Sequence, residues 1–131
     1  MTLKIFTPPL LWALLIAILC GMPGKDIPSI SWLELLSFDK WVHAGIFFIQ
    51  AVSLIKALRK QPSFELLRHH NIKIALLFCL FYGGVLEILQ GAVFVDRSAD
   101  LNDFIANSTG AIVAILLIKN NKIKFVKESY S

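Results

Sequence analysis

Long stretches of this chain carry almost no charge, and cysteine is scarce. The 56 % hydrophobic share and mean hydropathy of +0.69 stand above a soluble domain, whose apolar content is roughly 45–50 %. Such charges as exist cluster between the apolar runs, which excludes an ordinary soluble domain and defines an integral membrane protein. The net charge of +4 comes with no RNA- or DNA-binding motif, so no nucleic acid partner is expected. Only two cysteines occur, Cys20 and Cys79, each inside an apolar run where a thiol acts as a small buried hydrophobe. Cys20 lacks the preceding Leu-small-small order of a lipoprotein signal, so lipidation there is not expected. Short-range metal-ligand spacing is absent too, and neither a metal nor another cofactor is expected.

What is present is a set of four apolar runs within one domain covering residues 1–131. They lie at about 8–22, 40–58, 72–95 and 101–118. The first is short, since crossing the hydrocarbon takes about 20 residues. Read as a signal peptide, it would use Lys4 as its charged region and Leu10–Cys20 as its apolar one. No clean small-x-small cleavage site follows, so the expectation is a retained helix. The fold class is therefore all-α, an integral membrane four-helix bundle. Between the first two spans, Ser31-Trp32-Leu33-Glu34 reads as a capping box. It opens a short interfacial helix, with Trp32 at headgroup depth; the alternative is an ordinary loop with two aromatic anchors. Pro62 and Ser63 mark a turn before the amphipathic stretch "FELLR".

Orientation follows from the basic residues. Ten of the thirteen Lys and Arg fall on one side of a four-span chain, with only Glu65 and Glu128 as acids. The other side holds Lys25, Lys40 and Arg97 together with seven acids. The basic side is cytoplasmic by the positive-inside rule, which puts both termini inside. The net positive charge is thus topological. His69 and His70, among these basic residues, read as part of a solvated loop near anionic headgroups.

This topology brings three polar stripes to the extracytoplasmic face. At 100° per residue, Asp39, His43 and Gln50 share a face of the second span. Glu87 and Gln90 share one on the third, with Gly83 and Gly84 a turn before. Asp100, Asp103 and Asn107 share one on the fourth, beside Gly110. An acid as far inside a span as Glu87 would cost up to about 3 kcal/mol if it faced lipid. The three stripes should therefore face one another. Ala106, Gly110 and Ala114 form a small-xxx-small stripe that lets the fourth span approach a neighbour closely.

Three blocks carry a resemblance: "DKWVHAGIFF", "GVLEILQ" and "DRSADLNDFIANSTGA". In that order they resemble the VanZ-like membrane proteins, over about residues 38 to 118. The shared pattern is Asp-Lys-x-x-His, Glu-x-x-Gln and Arg-(x)2-Asp-(x)2-Asp-(x)3-Asn-(x)2-Gly. The resemblance places the family's polar signature on Asp39, Lys40, His43, Glu87, Gln90, Arg97, Asp100, Asp103, Asn107 and Gly110. It implies a small multi-span protein of the cell envelope. The family's founding member is associated with reduced sensitivity to teicoplanin. The resemblance names a group and no reaction.

Two functional readings use these residues. In the first, an intramembrane enzyme acts at the outer leaflet with His43, Glu87, Asp100 and Asp103 as acid–base groups. Lys40 and Arg97 would hold the phosphate of a membrane lipid or lipid-linked cell-wall precursor. Asp39, Gln90 and Asn107 would complete the substrate contacts. Ser98, Ser108 and Thr109 have no histidine placed beside them by sequence, so activated water is favoured over a covalent nucleophile. His43 with the three carboxylates could in principle take a hard or intermediate ion, against the missing spacing motif. In the second reading the same cavity binds a lipid or an antibiotic without turnover. Proton-coupled transport would need a homo-oligomer, which the sequence leaves open. The structural alternative is polar glue between helices, at about 0.6–2 kcal/mol per group.

Overall fold

A computed structural model describes residues 2–21, 38–92 and 101–120. Among them six helices form and no strand. They are α1 (Thr2–Ile5), α2 (Thr7–Gly21), α3 (Phe38–Lys60), α4 (Glu65–His69), α5 (Asn71–Ala92) and α6 (Leu101–Lys119). Three are long and apolar enough to cross a membrane: Lys40–Lys60, Asn71–Ala92 and Leu101–Lys119. α2 has 15 residues, about 22 Å at the helical rise, and is a shorter apolar helix. Of the four expected runs, three are therefore candidate spans and the first is not long enough by itself. The expected interfacial helix around Ser31 and Glu34 lies outside the described residues.

The helices present one face inward by simple periodicity. On α5 the buried positions are Ala75, Cys79, Gly83, Leu86, Glu87 and Gln90, spaced by three and four. On α6 they are Asp103, Asn107, Gly110, Ala111, Ala114, Ile115 and Ile118. The opposite faces expose Trp41, Leu77, Phe81, Ile88, Ile105 and Leu116. An apolar exterior over a core of small, apolar and polar residues is the pattern that lipid solvent favours.

Register pairs give the relative directions. Lys40 meets Asp103, His43 meets Asn107, and Gly110 meets Ala44. The numbers rise together, so α3 and α6 run parallel. On α5, Gly83 lies against Asn107 and Phe47 while Gly84 lies against Phe104, and Glu87 gathers with Asp103. There the numbers run oppositely, so α5 is antiparallel to α6. α3 and α6 make the most extensive contact of any pair. Gly110 permits it, because a Cβ there would stand 2.7 Å from the Ala44 carbonyl carbon.

α2 is docked through polar atoms as well as apolar ones. The Trp12 indole N–H donates to the Ile46 carbonyl at 2.8 Å. The Tyr82 hydroxyl donates to the Ala13 carbonyl, and Gln90 Nε2 donates to the Cys20 carbonyl at 3.1 Å. Ile16 and Cys20 are buried in the same core as Phe47, Ala51, Cys79 and Leu86. In an apolar medium such hydrogen bonds meet little competition, which suits a helix too short to rely on length.

The α3–α5 connection is built rather than loose. Fully buried Gln61 accepts from the Phe64 amide at 2.8 Å and donates to the Phe64 carbonyl at 2.6 Å. Arg68 Nη1 donates to the Gln61 and Pro62 carbonyls. Arg59 Nε donates to Asn71 Oδ1, and Asn71 Nδ2 to the Arg68 carbonyl. The turn expected at Pro62 and Ser63 is there, followed by α4, which buries none of its residues.

Candidate functional site: a buried histidine–carboxylate cluster

Parallel packing of α3 against α6 sets residues 40 and 43 beside residues 103 and 107. The Lys40 ammonium pairs with Asp103 Oδ1. His43 Nδ1 lies 3.0 Å from Asn107 Oδ1. Since that oxygen only accepts, Nδ1 carries the proton and donates. His43 Nε2 then faces Asp103 Oδ2 at 3.7 Å. α5 adds the third wall: one ligand atom each from His43, Glu87 and Asp103 lie within 4.8 Å of one another.

The cluster is buried. His43 and Asp103 are 8 % exposed, Glu87 7 % and Asn107 2 %. Two carboxylates at that depth are costly unless they share hydrogen bonds and positive charge. The Lys40 side chain, at 27 %, is the most open of these members. Gly83 makes room for Asn107: a Cβ at position 83 would meet its Nδ2 at 3.4 Å. Phe47, fully buried and also 3.4 Å from that Cβ, floors the same place.

Of the residues expected from sequence, Lys40, His43, Glu87, Asp103 and Asn107 come together. Lys40 does so by pairing with Asp103. Gln90, expected to contact substrate, sends its amide nitrogen to the Cys20 carbonyl on α2, and among the described residues its buried Oε1 has no hydrogen-bond partner. Gln50 is likewise buried, its Oε1 without a partner among the described residues. Arg97 and Asp100 lie outside the described residues. Asp39 belongs to α3, but its side chain does too. Ser108 and Thr109 hydroxyls donate to the Phe104 and Ile105 carbonyls on their own helix, at 2.9 and 2.7 Å. Neither is in a hydrogen bond with His43.

Sequence reasoning passed over Trp12, Tyr82 and Phe47, which read as ordinary members of apolar runs. The available signal was chemical: an indole or phenol inside a span needs a partner for its polar atom.

Fold and cluster together define a multi-pass helical membrane protein with an ionisable centre inside its helix bundle. The VanZ/LLP1 family model matches residues 10–124, nearly the whole chain, and the protein belongs to that family. No curated protein and no solved structure matches it.

Proposed function

We propose that this protein is a four-helix bundle of the cell membrane, with both termini cytoplasmic, whose cluster engages the polar headgroup of a lipid-anchored envelope component. The observation that carries this is the convergence of Lys40, His43, Glu87, Asp103 and Asn107 from three helices at one level. Interhelical glue needs only one or two polar groups per contact. Here five occur, including a histidine and two carboxylates, at a place that an ammonium borders. The asymmetry of basic residues puts this end of the bundle on the extracytoplasmic side.

The ligand class follows from the setting. A site between helices of a membrane protein, partly open and flanked by a cation, suits the phosphate of a phospholipid or of a lipid-linked cell-wall precursor. Membership of the VanZ/LLP1 family supports a link to resistance against teicoplanin-type glycopeptides. His43 and Glu87 provide the groups for acid–base work on that headgroup. The hydroxyls of Ser108 and Thr109 are engaged with their own helix, which favours water as the attacking group.

Native mass spectrometry of protein extracted gently from its own membrane tests this. The wild type should retain a lipid or lipid-linked precursor, and Glu87→Gln should lose it. Bare protein in both samples, with unchanged helicity and melting, would return the cluster to a structural role.

A further inference from the structure

The geometry points to a divalent metal site at His43, Glu87 and Asp103, taking a first-row ion of the manganese-to-zinc kind. The inference deepens the headgroup reading of the same cluster and rests on it. Three donors arrive from three different helices, all at least 92 % buried, with one ligand atom each inside a 4.8 Å span. Around an ion with bonds of about 2.1 Å, ligand atoms stand about 3 to 4.2 Å apart. Small side-chain rotations close the difference.

What separates this from a mere gathering of acids is the support around the donors. A metal-bound histidine almost always donates its other ring N–H to an oxygen, and ligating carboxylates are themselves hydrogen-bonded. Both are in place. His43 Nδ1–H is held by Asn107 Oδ1 at 3.0 Å, which aims the Nε2 lone pair at the carboxylates. Lys40 holds Asp103 Oδ1, which leaves Oδ2 turned to that lone pair at 3.7 Å. An ion between that ring nitrogen and Oδ2 could bond both, since two bonds of about 2.1 Å span up to about 4.2 Å. One imidazole with two carboxylates suits manganese or zinc better than a structural thiolate-type site. Remaining coordination positions would go to water or to a headgroup phosphate oxygen. Thus the ion would serve the ligand class proposed above. The donors are 44 and 16 positions apart in the chain, which is why no spacing motif announces them.

Manganese itself is the probe. Tag-free, chelator-stripped protein in detergent, carrying His69→Ala and His70→Ala to remove the adjacent surface imidazoles, is titrated with Mn2+ and followed by electron paramagnetic resonance. One equivalent should bind, with nitrogen modulation in the pulsed spectrum from the His43 ring. His43→Gln should abolish that modulation, Glu87→Gln should weaken binding at least about tenfold, and Asn107→Ala should weaken it about 10–100-fold. Absence of tight binding, binding unchanged in His43→Gln, or bound manganese without nitrogen modulation would each overturn the site. Should the variants fail to fold, the wild-type nitrogen modulation decides alone. Lipid retention is read separately by mass spectrometry. Lipid without manganese overturns the ion site, whereas manganese without lipid supports the ion site and overturns the headgroup reading.

Discussion

Gly110 rests directly on the backbone of Ala44. A methyl group at position 110 would stand 2.7 Å from the Ala44 carbonyl carbon, and 2.9 Å from its Cα. Neither atom can rotate away, so the helices themselves must separate. Gly110→Ala should therefore destabilise by about 1–3 kcal/mol, despite alanine's better helix propensity. Gly45, with nothing within 4 Å of its would-be Cβ, is the control: Gly45→Ala should be neutral or stabilise by up to about 1 kcal/mol. Unfolding in detergent, followed by circular dichroism, compares the two. Equal effects would mean that α3 and α6 do not touch at this register.

His43 and Asn107 give the second prediction. With Asn107 Oδ1 as its partner, the His43 ring carries its proton on Nδ1. Nitrogen-15 shifts of the imidazole should show a protonated Nδ1 in the metal-free wild type. In Asn107→Ala that preference should vanish, with stability falling by about 1–2 kcal/mol for the lost buried hydrogen bond. A ring that keeps its protonation pattern in the variant would mean that Asn107 does not set it.

Much of this arrangement was legible in the residues. Charge-poor apolar runs marked α3, α5 and α6, and helical periodicity placed His43, Glu87, Asp103 and Asn107 on inward faces. The small-residue stripe picked out Gly110 as a place of close approach. What periodicity does not carry is the partner. The pairing of Lys40 with Asp103 is set by the parallel register of α3 and α6. Gln90 shares a face with Glu87, but α2 offers it a carbonyl first. The docking of α2 by Trp12 and Tyr82 was hidden because aromatic residues in apolar runs look the same whether or not their polar atoms are in use.

That docking is itself open to test through Cys20, which is 4 % exposed and lies near the end of α2. Cys79, at 1 %, is the internal reference on α5. Neither thiol should react with a maleimide in folded wild-type protein. Trp12→Phe and Tyr82→Phe each remove one hydrogen bond to a helix backbone, worth about 0.6–1 kcal/mol. Cys20 labelling should accelerate by about 3–5-fold in either variant, since α2 undocks more often, while Cys79 labelling stays slow. Parallel acceleration of both thiols would mean that the bundle opens as one unit.

Orientation decides whether a headgroup of the outer leaflet can reach the cluster at all. Ser63, beside the built turn after α3, and Leu101, at the start of α6, are both exposed and lie at opposite ends of the bundle. Placed singly as cysteines in a Cys20→Ala, Cys79→Ala background, they report the two faces. A membrane-impermeant maleimide added to intact cells should label Leu101→Cys and spare Ser63→Cys until the membrane is broken. The reasoning is the weight of Lys56, Arg59, Lys60, Arg68 and Lys73 around the Ser63 end, against which insertion the other way would carry five cations across the bilayer. Labelling of Ser63→Cys in intact cells would turn the cluster toward the cytoplasm. The ligand would then have to be sought among inner-leaflet phospholipids.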